Sequence, residues 1–251
     1  VSTPYLLELI KTRFPAFRVR VGIFAQVDTV QRARFWEDLG ADAITLESYS
    51  INRDEARLRA IRAAVSCDLQ LIANHTCLPN CPMQPYHQNG FAHSSSGEGR
   101  LYVDYCILRC ARLRLQDPAL FIKAAWIRPE DITTYEAMGI DAFKLLERGM
   151  PSALLRTRLA AYASGHYDGN LADLIFSYGF NEAPRKQRLW GIRHFFKPLQ
   201  ASPLKLKPLL ALAQQQGMLF AQKEKAVCID NQRIPTDFLT RTLSCGGSTE
   251  G

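Results

Sequence analysis

Two stretches of the chain repeat one phrase: FWEDLGADAITLE at 35–47 and TYEAMGIDAFKLLE at 134–147. Each runs aromatic–Glu–x–x–Gly–x–Asp–Ala and continues into an apolar run. A helix that stops on a glycine and turns directly into a strand reads this way. Two copies in one chain predict repeated βα units with parallel strands and right-handed crossovers.

The rhythm extends outward from both copies. PYLLELIKTRF, TVQRARFWEDLGA, RDEARLRAIRAAV, PEDITTYEAMGI and PSALLRTRLAAYASG read as helices, with Gly40 as a stop and Pro129 in a first turn. Strands are expected at roughly 17–25, 42–47, 68–74, 119–126 and 141–146. A closed (β/α)₈ barrel needs eight strands. The expected fold is therefore α/β, a TIM-like (β/α) barrel incomplete at its N-terminus in this chain. Residues 1–165 form the barrel portion. Residues 166–251, where the rhythm fails, form a C-terminal appendage whose tail, GGSTEG, is expected to be disordered.

With 251 residues, 47% of them hydrophobic and 22% charged, the chain can bury a core. No apolar run approaches the ~20 residues of a membrane span, and no basic-then-apolar signal segment is visible. Seven cysteines are too few for a secreted disulfide scaffold. They suit metal binding in a reducing, cytoplasmic compartment. The net charge of +7 concentrates in 184–225, where nine basic residues face only Glu224. Trp190, Phe195 and Phe196 lie among them, a pattern that suits RNA, as it also suits an ordinary solvated basic face.

The chemistry-bearing stretch is ANHTCLPNCPMQPYHQNGFAH, 73–93, followed by DYCILRC. Cys77 and Cys81 are four apart, as are Cys106 and Cys110. On a helical turn that spacing puts two thiols on one face. Four thiolates suit a 4Fe-4S cluster or a structural zinc; four ordinary buried cysteines are the third reading. A radical-SAM cluster would need a cysteine at Gln84. His75, His87 and His93 flank the first pair, and an imidazole there could move protons. Other expected strand ends offer Glu47, Asn52, Arg53 and Asp54; Trp126, Arg128 and Glu130; and Lys144, Glu147 and Arg148. Arg53, Arg128 and Arg148 could grip a carboxylate or phosphate, or simply pair with a neighbouring helix cap. Cys67 reads as core, and Cys228 and Cys245 as stray thiols.

NHTCLPNCPMQPYHQNGFAH, YVDYCILRC, FIKAAWIRPEDITTYEAMGIDAFKLLERG and YDGNLADL resemble the U32 peptidase family, the collagenase-like peptidases. The resemblance covers about residues 1–175, with CIDNQRIPTDFL a weaker match further on. It implies a barrel-type catalytic domain and a 4Fe-4S cluster on Cys77, Cys81, Cys106 and Cys110. Some members of the family hydroxylate an RNA pyrimidine or a quinone precursor without dioxygen, with prephenate as oxygen source; others carry the name of proteases. The chain lacks the upstream strands that such relatives carry.

The leading expectation is an iron–sulfur-dependent, oxygen-independent hydroxylase-type enzyme acting on RNA or a small aromatic or quinone precursor. His87 and His93 would move protons, and Arg53 and Arg128 would steer an anionic small-molecule oxygen donor. The chain shows no Gly-x-Ser-x-Gly and no His-Glu-x-x-His, so a collagenase-like peptidase ranks second. A non-catalytic iron–sulfur subunit is the third class, with a partner chain completing the barrel.

Overall fold

Both copies of the repeated phrase build the same joint. The computed structural model describes residues 1–75, 77, 78, 81–87, 89, 110, 113, 114, 116, 117, 119–146, 152–175 and 228–243. Among these the elements are α1 (Pro4–Arg13), β1 (Arg20–Val21), α2 (Val30–Asp38), β2 (Ala43–Thr45), α3 (Ser48–Ile51), α4 (Glu55–Ala64), β3 (Asp68–Ile72), α5 (Ala119–Lys123), α6 (Ile132–Ala137), β4 (Ala142–Lys144), α7 (Ser152–Ser164), α8 (Ala172–Ile175) and α9 (Phe238–Leu243). Single 3₁₀ turns lie at Ile23–Ala25, Pro129–Asp131 and Asn231–Arg233.

At the end of α2, Gly40 N–H donates to Glu37 O at 2.7 Å and Ala41 N–H to Trp36 O at 3.0 Å. At the end of α6, Gly139 N–H donates to Glu136 O at 2.8 Å and Ile140 N–H to Tyr135 O at 3.1 Å. Both glycines are left-handed, with φ of 97° and 87°, a conformation that favours glycine at a helix stop. Two residues on, the aspartates act alike. Asp42 N–H donates to Val19 O, and Val19 N–H returns a bond to the Asp42 carboxylate. Asp141 N–H donates to Leu69 O, and Leu69 N–H returns to the Asp141 carboxylate. Each aspartate thus fixes the incoming strand to the one before it.

The four strands lie in the order β1-β2-β3-β4, all parallel. The register runs Val21↔Ile44, Ile44↔Leu69 and Leu71↔Phe143. β2 is buried throughout, as a parallel strand covered by helices should be. α2 buries Ala33 and Trp36, and α4 buries Leu58 and Ile61, against Ile44, Leu69 and Leu71. Full burial of each large aliphatic side chain is worth ~1.5–3 kcal/mol. Thr29 caps α2 through Arg32 N–H, and Asp54 caps α4 through Arg57 N–H. Leu239 and Leu243 of α9 join the same core.

Two expected strands differ. Of 17–25 only Arg20–Val21 pairs, because the chain then tightens into the turn Ile23–Ala25. The stretch expected as a strand at 119–126 begins as helix α5, and its remainder, 124–126, forms no strand. The reason lies in its carbonyls. Side chains take all four from Ala124 to Ile127: Arg53 bonds those of Ala124 and Trp126, Asn52 that of Ala125, and Tyr162 that of Ile127. Only Ile127 N–H, bonded to Ala73 O at 2.8 Å, contacts the backbone at the end of β3. Side-chain bonds there replace a ladder.

The chain divides into two compact units. One comprises Val1–Asn80, Ala124–Ser177 and Ile229–Gly251 and holds the sheet; the other comprises Cys81–Lys123 and Tyr178–Cys228. No helix among the described residues is long and apolar enough to cross a membrane. The expected basic segment 184–225 lies outside the described residues, as does the expected disordered tail.

Candidate functional site

The carboxyl ends of β2 and β3 carry polar side chains where the strands themselves are apolar. Ser48 Oγ donates to Leu46 O and accepts from Ile72 N–H, tying the two ends together. Glu47 caps α3 by accepting from Ser50 N–H at 2.9 Å. Asn52 is fully buried and donates through Nδ2 to Ile72 O at 2.9 Å and Ala125 O at 2.7 Å. Its own carbonyl accepts from the Tyr135 hydroxyl at 2.6 Å. Asn74, also fully buried, accepts from Leu146 N–H at 2.6 Å and donates to Leu174 O at 3.2 Å. It serves as the next rung of the β3–β4 ladder after the strands have ended. His75 is buried, with Nε2 at 3.1 Å from Ser48 O and its ring edge-on to Tyr49.

Arg53 and Arg128 meet around Phe238. The Arg53 guanidinium carbon lies 4.9 Å from the Phe238 ring centre and 5.1 Å from that of Trp126; that of Arg128 lies 5.9 Å from Phe238. Trp126 and Phe238 are themselves stacked. Desolvation comes first in lowering the pKa of Arg53, and the like charge of Arg128 adds to it, against Tyr135 and Asp131. Arg128 Nη2 donates to Asp131 at 2.8 Å. Burial raises the Asp131 carboxyl above its ordinary range, and the Arg128 bond opposes that rise. Glu130 accepts from Asn231 Nδ2 at 2.7 Å and Tyr167 N–H at 2.8 Å, which fixes the 228–243 segment beside Arg128. Burial raises the phenols of Tyr135 and Tyr162 far out of reach of neutral pH, so both stay hydrogen-bond donors.

The structure thus brings together two of the expected site residues, Arg53 and Arg128. It gives both a scaffolding task, since each spends an Nη2 on the protein itself. Among the described residues the buried Nε atoms of Arg53 and Arg128 find no hydrogen-bond partner, although Arg128 Nε lies 3.7 Å from Glu130 Oε2. Cys77 is half-buried, two residues beyond His75, and belongs to the sheet-bearing unit. Cys81, His87 and Cys110 belong to the other unit, and all three are half-buried. Cys81 O accepts from Gln84 N–H at 3.1 Å, and His87 N–H donates to Met83 O at 3.0 Å. Cys106, His93 and Arg148 lie outside the described residues. Among the described residues no three of His, Cys, Asp and Glu gather as a metal-binding group. Cys67, expected in the core, is half-buried; burial first, then Glu37, pushes its thiol up to about 11.

Sequence reasoning passed over Asn74, Tyr135 and Tyr162. For Asn74 a signal existed: a polar residue closing an apolar strand, as in LQLIAN, marks a side chain with backbone to satisfy.

No family model matches the chain. An uncharacterized protease of Methanocaldococcus jannaschii, MJ1657, is 35% identical over 196 residues, which is 78% of this chain and 54% of the relative. The solved structure of the U32 peptidase Mk0906 is 27% identical, with a TM-score of 0.42 over 60% of this chain and 54% of that one. The chain belongs to the U32 peptidase family. It spans about half the length of the curated relative it matches.

Proposed function

We propose that this U32 chain contributes the cluster-binding portion of an oxygen-independent hydroxylase-type enzyme. The observation that carries the reading is the donor set: Cys77, Cys81, Cys106 and Cys110, four thiols in two equally spaced pairs, the first placed just past the buried carboxyl end of β3. The chemistry of that set fits a 4Fe-4S cluster held by four cysteines; zinc is the alternative ligand. When bound, the cluster would supply electron transfer or an iron able to polarise an oxygen donor.

The chain's own residues would bind and orient around it. The positive pair Arg53 and Arg128, held around Phe238, would attract an anionic oxygen donor through charge-assisted bonds. His87 and His93 would hold or move protons. The basic segment 184–225 favours RNA over a small quinone precursor as substrate. Among the described residues β1 and β4 are the edges of the four-stranded sheet, and a partner chain there would complete a barrel.

Hydrolysis is the second reading, favoured by the protease name that both similar proteins carry. One preparation separates the two. Anaerobic purification followed by iron and sulfide analysis should yield about four of each per chain. The Cys81→Ala variant should lose iron and hydroxylating activity together. A metal-free wild-type chain that cleaves peptides, and a Cys81→Ala variant as active as wild type, would sink the oxygen-transfer reading.

A further inference from the structure

The turn that leads into β1 carries chemistry that the proposed function does not use. From Leu9 to Val27 the chain has four basic residues, Lys11, Arg13, Arg18 and Arg20, and no acid. Within this stretch Phe14 and Phe17 are 55% and 60% exposed. Their rings stack on each other, with centroids 5.4 Å apart and planes 16° from parallel. A pair of phenyl rings held open to water is an unusual surface feature for a structural turn.

The pair is rigidly mounted. Phe14–Pro15–Ala16–Phe17 is a β-turn closed by Phe17 N–H to Phe14 O at 3.0 Å, with Pro15 at the position where its fixed φ suits the turn. Phe14 N–H donates to Ile10 O at 2.7 Å, which fastens the turn to the end of α1. Lys11 Nζ donates to Phe17 O at 3.1 Å and pairs with Asp42 at 2.6 Å. Little conformational freedom remains to be lost when a ligand stacks on the rings, and such preorganisation favours binding.

Basic residues flank the rings in sequence. Lys11 and Arg18 face Asp42 and Asp68, respectively. Arg18 remains 75% exposed at its side chain despite that pair. Arg13 and Arg20 are exposed and carry no ion pair among the described residues. Exposed flat apolar faces in a segment that also exposes three arginines match unpaired bases joined by phosphates: the rings would stack the bases, and the arginines would contact the backbone.

We propose that the Arg13–Arg20 turn is a binding platform for single-stranded nucleic acid. It lies at the amino end of β1, whereas the candidate site lies at the carboxyl ends of the strands. The platform deepens the RNA option of the proposed function without depending on the cluster. Binding is read without turnover, so a chain that holds no iron would overturn the oxygen-transfer reading and leave the platform standing.

The test is fluorescence anisotropy of the full chain with a labelled mixed-sequence RNA of about twelve nucleotides, its DNA counterpart and its duplex. The double variant Phe14→Ala/Phe17→Ala should bind the single strands roughly tenfold or more weakly, and the duplex nearly as wild type does. Phe17→Trp, which keeps a stacking face, should retain affinity and guards against a folding artefact. Arg13→Gln and Arg20→Gln should each lower the salt slope by about 0.7, one phosphate contact on a single strand. Tighter binding of RNA than of DNA would assign the partner as RNA; equal binding would assign any single strand. Unchanged single-strand affinity in the double phenylalanine variant overturns the proposal. So does a wild-type dimer that the same variant converts to monomer with its RNA affinity intact, which would make the rings an interface between copies.

Discussion

The two ends of the parallel sheet are held by different means. At the amino end the Gly40–Asp42 and Gly139–Asp141 joints repeat one solution: a left-handed glycine, then an aspartate bonded to the preceding strand through backbone and carboxylate. A basic residue from the helix ahead of the neighbouring strand completes each joint, Lys11 of α1 for Asp42 and Arg62 of α4 for Asp141. These groups are partly exposed. At the carboxyl end nothing repeats. Asn52, Asn74 and Tyr135 are buried, and each satisfies a backbone group that no strand reaches. Solvent can replace a lost bond at the first end but not at the second, so equal deletions should cost unequally.

The largest effect is expected at Asn52. In Asn52→Ala the carbonyls of Ile72 and Ala125 lose their buried donor, and the 124–128 segment loses one of its side-chain supports. Two unsatisfied buried acceptors cost about 2–4 kcal/mol, or roughly 5–15 °C in Tm for a chain of this size. Thermal unfolding by circular dichroism checks this. A shift of about a degree would show that water reaches these carbonyls and that the carboxyl end is no drier than the amino end.

This contrast also sets what could be read from sequence. The amino end was legible because its physics is local. A glycine stop and an aspartate two residues later lie within one window, and writing the phrase twice confirms the reading. Three of the five expected strands appear close to where they were expected, at Ala43–Thr45, Asp68–Ile72 and Ala142–Lys144. The stretch 119–126 reads as a strand because FIKAAW has strand composition, while its conformation is set by Asn52, Arg53 and Tyr162, distant in sequence. The expected strand-end positions of Arg53 and Arg128 mark them either for anion binding or for pairing with a neighbouring helix cap. Their shared contact with Phe238 could not be foreseen, because it depends on a segment 110 residues after Arg128 and 185 after Arg53 docking beside them. Of the cysteine motifs only the spacing can be read from the chain, because spacing is local, whereas the geometry of one pair relative to the other is not.

Within the amino end the two copies are not equal, and a matched pair of substitutions measures the difference. A Cβ on Gly139 would lie 2.6 Å from Arg62 Cδ and 2.7 Å from Cγ, whereas one on Gly40 would lie 3.5 Å from Lys11 Cγ. Both substitutions incur the left-handed penalty of about 1–2 kcal/mol. Gly139→Ala must also displace the Arg62 side chain, which bonds Asp141 at 3.0 Å and Val65 O. Gly139→Ala should therefore destabilise by about 2–3 kcal/mol and Gly40→Ala by about 1–2. Urea unfolding of both variants checks the order. Equal losses would mean that Arg62 swings aside at no cost and that the two joints are interchangeable.

The smallest effect tests whether the aspartate joint is electrostatic at all. Burial pushes the Asp42 carboxyl up, but the bonds from Lys11 and Val19 N–H together outweigh it and hold the pKa below its ordinary value. A carboxylate favoured in the folded state stabilises above its unfolded pKa of about 3.9. That contribution is lost as pH falls through the lower, folded value. Solvent reaches both partners of the pair, so its worth is only ~0.5 kcal/mol. Asp42→Asn keeps an acceptor for Val19 N–H and removes the charge that Lys11 pairs with. The variant should be less stable than wild type by that amount at pH 7 and indistinguishable from it at about pH 3. Urea unfolding at the two pH values reads this as a gap that closes. A gap that stays constant would assign the joint to hydrogen bonding alone. Asp42 would then act as the asparagines of the carboxyl end do, and the two ends would differ in exposure but not in kind.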